Sequence, residues 1–149
     1  MSFEFPFETL LEHKRNLEKE ALRYFNEAQG KVDQATSELN EMYSLVDQSF
    51  KRAGKVANQS GAPVPELGML DQFMKGQKVR IERQRAKIVG LKSEAERRQV
   101  LLLEAARERK TLEKLREKRL EEYKKKQKQR EAKEIDELVV MRFKVTDEN

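Results

Sequence analysis

The densest chemistry in this chain is cationic. Lys124, Lys125, Lys126, Lys128 and Arg130 crowd one short stretch, with Arg116 and Arg119 just upstream. Clustered cations at helical spacing hold carboxylates or phosphates, so the group reads as a surface for an acidic partner. Interspersed Glu121, Glu122, Glu131 and Glu134 count against nucleic acid, as does the scarcity of aromatic residues on which bases stack. No broad apolar face flanks the lysines in this reading, which counts against adsorption to a membrane. A solvated helix face, supported by pairs such as Glu121–Lys125 and Glu122–Lys126, is the competing interpretation.

Residues for catalysis are missing. His13 is the single histidine and there is no cysteine, which excludes disulfides and thiolate metal sites. No glycine-rich loop between a strand and a helix is present to cradle phosphates. Carboxylates are abundant, but on solvated helices they gain no shifted pKa for acid–base work. The expectation is a protein that is not an enzyme, with no cofactor, no metal and no small-molecule ligand.

The elements that position the cations emerge from composition and spacing. At 149 residues the length suits one domain, yet 40% charged and 7% aromatic residues are poor material for a globular core. Disorder is one outcome of such a composition. Interleaved charges of both signs and periodic apolar residues favour long helices that bury a single stripe. The net charge of +5 and pI of about 9.4 permit an acidic partner without choosing one. The start lacks a long apolar run and no stretch approaches the length of a membrane span, so a soluble cytoplasmic protein is expected.

Two helical runs flank a Pro/Gly-rich break between Gly61 and Gly68, and no proline occurs after Pro65. The first run is expected over residues 6–53, with Pro6 in its first turn, and the tip loop over 54–68. The second is expected over 69–141, with a tail at 142–149. In the first, Leu17, Ala21, Tyr24, Ala28, Val32, Ala35, Leu39, Met42 and Val46 alternate steps of four and three, a coiled-coil seam with one stutter after Ala28. In the second, Leu70, Met74, Gln77, Ile81, Gln84, Ile88, Leu91, Ala95, Arg98, Leu102, Ala105, Arg109 and Leu112 continue the pattern, and its phase slips at Leu115. Laid antiparallel, the seams pair Leu10 with Leu112, Leu17 with Ala105, Ala21 with Leu102, Ala28 with Ala95, Val32 with Leu91, Ala35 with Ile88 and Met42 with Ile81. Large side chains mostly oppose small ones, as interdigitating layers require. Leu17, Val32, Leu39, Ile81, Ile88, Leu91 and Leu102 form the expected core.

The fold class is therefore all-α: a long antiparallel two-helix coiled-coil hairpin, one rod-like domain over 1–149, with an overhanging C-terminal helix. At about 1.5 Å per residue the second arm outruns the first by roughly 40 Å, which leaves the basic segment unpartnered. Gly30 and Gly90 fall nearly opposite each other, marking either a thin, bendable point or two tolerated glycines. Tyr43, Leu45, Phe50, Phe73 and Val79 miss the seam near the tip and read as a partner patch.

This layout resembles the flagellar export protein FliJ family and, more distantly, the stalk proteins of injectisome type III secretion. The resemblance covers essentially the whole chain. It rests on the start Phe3-Glu4-Phe5-Pro6-Phe7-Glu8-Thr9-Leu10-Leu11 and on Leu102-Leu103-Glu104-Ala105-Ala106-Arg107-Glu108-Arg109-Lys110-Thr111-Leu112-Glu113-Lys114-Leu115. The tail Lys133-Glu134-Ile135-Asp136-Glu137-Leu138 completes it.

The resemblance implies a non-enzymatic central stalk similar to the γ subunit of rotary ATPases. Such a stalk inserts its N- and C-terminal helix ends into a hexameric export ATPase, promotes the ring's assembly and activity, and couples it to the export gate. The partners implied are that ATPase, the cytoplasmic domain of the gate membrane protein and export chaperones, at the inner-membrane export apparatus. Arg116, Arg119, Lys124, Lys125, Lys126, Lys128 and Arg130 become candidates for ATPase contact, and Phe3, Phe5 and Phe7 either meet the same ring or cover the second helix. Positions matching the family's gate-binding surface are Met42, Leu45, Phe73, Gln77 and Gln84. Met42, Gln77 and Gln84 also fall on the seam, and Glu38 and Ser49 depart from the glutamine and aromatic of the family pattern. The alternative is a general coiled-coil scaffold or adaptor whose basic arm binds an acidic partner or nucleic acid.

Overall fold

A computed structural model describes residues 2–58 and 64–147. Two long helices, α1 (Glu8–Asn58) and α2 (Val64–Asp147), pack against each other as an antiparallel hairpin, with no strand among the described residues.

Both helices run further than their local signals predict. Pro6 precedes α1 in a turn instead of opening it: the Glu8 N–H donates to the Phe5 carbonyl at 3.1 Å, and Leu11 N–H to the Phe7 carbonyl at 2.8 Å. At its other end α1 passes through Gly54, since half-buried Ala53 and buried Val56 continue the apolar stripe. Burial there outweighs the roughly 1 kcal/mol glycine penalty.

The expected tip loop lies partly outside the described residues, at 59–63. From Val64 onward the chain is helical, because a proline in the first turn forfeits no hydrogen bond and Pro65 stands there. Half-buried Leu67 and Leu70 then carry α2 across Gly68. At the C-terminus no glycine or proline interrupts the chain after Gly90, and α2 continues to Asp147 instead of stopping at 141.

The burial pattern of α1 is a heptad without a stutter. Its buried or half-buried line runs Leu11, Lys14, Glu18, Ala21, Phe25, Ala28, Val32, Ala35, Leu39, Met42, Val46, Ser49, Ala53 and Val56, in strict steps of three and four. Half-buried Arg15, Gln29 and Glu38 flank that line. Leu17 and Tyr24 are exposed, each one residue off it, and the expected irregularity after Ala28 comes from counting them as seam residues. A seam sought among apolar residues alone passes over Glu18. Along α2 the expected positions from Leu70 to Leu112 are all buried or half-buried, and the stripe broadens at Leu115 and Arg116.

The chain divides into two compact units. One comprises Lys19–Leu103. Its core gathers Ala28, Val32, Leu91 and Ala95, in agreement with the pairing of Val32 with Leu91 and Ala28 with Ala95. Ala35, Val56 and Ile88 are also buried, while Leu39, Ile81 and Leu102 are half-buried. Gln84 is 8% exposed and spans the seam, its Nε2 donating to the Ala35 carbonyl at 2.9 Å and to Glu38 Oε2 at 3.0 Å. Tyr24 lies against the guanidinium groups of Arg23 and Arg98, at 5.1 and 5.2 Å from its ring centroid. Gly30 and Gly90 do not mark a close approach of backbones. A methyl group at either would meet nothing within 4 Å.

The other unit comprises Met1–Glu18 and Glu104–Asn149. Leu11 is fully buried there, whereas Leu17 is 36% exposed and Leu10 also faces solvent. Arg109 takes a seam position, hydrogen-bonded to both oxygens of Glu18 and to Glu113. The bond to Glu18 is the main cause that holds the Arg109 pKa above its ordinary value. Lys14–Glu108 at 2.9 Å and Arg15–Glu113 at 3.4 Å flank this group.

Candidate functional site

The seven cations selected by the sequence pattern divide into two groups. Arg116 and Arg119 are engaged by the N-terminal segment of their own unit. Arg116 pairs with Glu8 at 2.9 Å and lies 5.8 Å from the Phe3 ring centroid, and Arg119 lies 5.7 Å from that of Phe7. Phe3 also meets Tyr123 at 5.6 Å, and Phe5, itself buried, meets Phe7 edge-on at 5.8 Å. The phenylalanine-rich start thus forms a strap on α2, fastened by cation–π contacts at Arg116 and Arg119. Alternating aromatics at 3, 5 and 7 are the sequence signal for that strap, a signal equally compatible with contact to a ring.

Lys124, Lys125, Lys126, Lys128 and Arg130 are exposed and make no ion pair among the described residues. The expected Glu121–Lys125 and Glu122–Lys126 pairs are not formed. Every described residue after Tyr123 is exposed, so this arm of α2 presents its cations with nothing covering them. Its last turns carry a feature that residue spacing did not select: Ile135, Leu138, Val139, Val140, Met141, Phe143 and Val145 are all exposed. Extending α2 past residue 141 is what places Phe143 and Val145 on the same helix.

The tip candidates lie in the unit Lys19–Leu103 and separate by flank. Leu45 and Phe73 each precede a seam residue, Val46 and Met74, and both are exposed. Tyr43 and Phe50 each come directly after one, Met42 and Ser49. They line a groove of about 460 Å³ with Val46, Met74 and Ile81, rimmed by Lys75, Lys78, Glu82 and Arg85. Leu45, Phe73 and Val79 do not line it. Gln77 and Gln84 are 5% and 8% exposed, inside the seam, and Met42 is half-buried. Two glutamines matched to a contact surface are therefore seam residues, with Leu45 and Phe73 left as its accessible members. Gln77 Oε1 finds no hydrogen-bond partner among the described residues.

No cluster of three or more potential metal ligands occurs among the described residues, and none of their helices is long and apolar enough to cross a membrane. Neither a curated protein nor a solved structure matches the chain. A family model described as flagellar FliJ protein matches residues 3–147. That match runs from the aromatic strap through both helices to the end of the basic and apolar arm, and the chain belongs to the flagellar FliJ protein family.

Proposed function

We propose that this protein is a non-enzymatic central stalk of the flagellar type III export apparatus, acting at the cytoplasmic face of the inner membrane. Membership in the FliJ family points to flagellar export. The finer reading is that the α2 arm and the adjoining N-terminal strap enter a hexameric export ATPase and promote its assembly and activity. The surface around Leu45 and Phe73 meets the cytoplasmic domain of the export gate, and export chaperones are further partners.

The observation that carries this reading is the division among the cations. Arg116 and Arg119 fasten the strap, which leaves Lys124, Lys125, Lys126, Lys128 and Arg130 uncommitted on a helix with no cover among the described residues. Exposed, unpaired cationic groups suit successive acidic loops of a ring, because a long-range attraction tolerates changing partners better than shaped packing does.

The test is the triple variant Lys124→Glu, Lys125→Glu, Lys126→Glu in an ATPase assay with the purified export ATPase. Stimulation should fall severalfold, and stimulation by the parent should weaken as salt rises. Unchanged stimulation by the variant would remove the basic arm from the mechanism.

A further inference from the structure

Ion pairs and a thin apolar contact fasten residues 3–18 to α2. Four pairs cross between the helices in this unit, among the described residues: Glu8–Arg116 at 2.9 Å, Lys14–Glu108 at 2.9 Å, Arg15–Glu113 at 3.4 Å and Glu18–Arg109. Lys14 and Glu18 stand at seam positions that apolar residues would otherwise fill. Among the described residues before Lys19, only Phe5 and Leu11 are buried, while Phe7, Leu10 and Leu17 face solvent. The unit Lys19–Leu103 is fastened differently. Ala28, Val32, Leu91 and Ala95 form its core, and Arg52–Glu66 at 3.7 Å is its one interhelical ion pair among the described residues.

We infer that residues 3–18 form an electrostatic clasp, which opens by itself when competing ions take its charges and so uncovers arginines of α2. The paired side chains are within reach of solvent, from 22% exposed at Arg109 to 57% at Glu108. Dissolved ions screen such pairs, whereas added salt does not loosen an apolar layer. Each exposed pair shifts an opening equilibrium by a factor of about two to three, so losing all four raises opening about thirtyfold. The strap leaves with the helix end, because Arg116 holds both Glu8 and the Phe3 ring. A few helical turns stripped of their partner fray in water. Opening takes Glu18 from Arg109, Glu8 from Arg116 and the Phe7 ring from Arg119. The clasp thereby sets how much cationic surface this unit presents. It does not depend on the stalk reading, since it needs no ATPase.

The experiment is amide hydrogen exchange on the full-length chain in low salt and in about 1 M sodium chloride. Salt should speed exchange about thirtyfold at residues 12–18 and leave residues 28–35 unchanged. Glu8→Gln with Glu18→Gln should speed exchange at 12–18 severalfold already in low salt and shrink the further response to salt. Exchange at 12–18 that ignores salt, a rise shared equally by 28–35, or parent-like protection in the double variant overturns the inference. None of these outcomes bears on ATPase stimulation, which tests the stalk reading separately.

Discussion

Replacing Leu11 by alanine removes a fully buried side chain, whereas the same change at Leu17 trims one that is 36% exposed. The buried change forfeits about 2.4 kcal/mol of transfer free energy, at about 0.8 kcal/mol for each of three carbons. Partial collapse of the cavity adds about 1 kcal/mol, for a total of about 3 kcal/mol, inside the range measured for buried leucines. At Leu17, 36% exposed, the transfer loss shrinks in proportion and no closed cavity forms, so about 1.5 kcal/mol is expected. Urea unfolding monitored by circular dichroism reads the difference as two shifts in midpoint at unchanged slope. In thermal melts Leu11→Ala should lower Tm by roughly 9 °C and Leu17→Ala by about half as much. Equal shifts, or a larger one for Leu17→Ala, would refute the seam that runs through Leu11 and Glu18.

Other outcomes are open to direct measurement. Capture of the gate's cytoplasmic domain should fail with Leu45→Ala plus Phe73→Ala; intact capture would move the contact elsewhere, the Tyr43–Phe50 groove being the next surface to probe. Gly30→Ala and Gly90→Ala should each raise stability by up to about 1 kcal/mol, because helix propensity improves and the added methyl meets open space. A loss of stability on either substitution would mean that the backbones approach closely after all.

Much of this architecture was legible in residue spacing. Steps of three and four along α2 located its seam from Leu70 to Leu112, and antiparallel pairing placed Val32 with Leu91 and Ala28 with Ala95. What escaped was set by partners remote in sequence. Glu18 enters the stripe because Arg109 meets it from α2, and no scan of apolar positions along α1 selects a glutamate. Gly54 and Gly68 look like stop signals, yet buried or half-buried neighbours override them, and Pro65 is accommodated because it falls in the first turn of α2. Arg116 and Lys124 look alike as letters; only the fold shows Glu8 and Phe3 engaging one of them. The apolar end was hidden by a helix boundary drawn several residues early, which left Phe143 and Val145 in a supposed tail.

The amide of Gln84 makes the two helices distinguishable turn by turn. Apolar steps that repeat every seven residues fit almost as well when one helix slides past the other by a whole repeat. A side chain hydrogen-bonded to the Ala35 carbonyl and to Glu38 fits at only one offset. Sliding would strand that amide in an apolar layer, at a cost of about 1–3 kcal/mol. The contact acts as a detent: twist or tension applied to one helix passes to its neighbour as a coupled load instead of being lost as slippage.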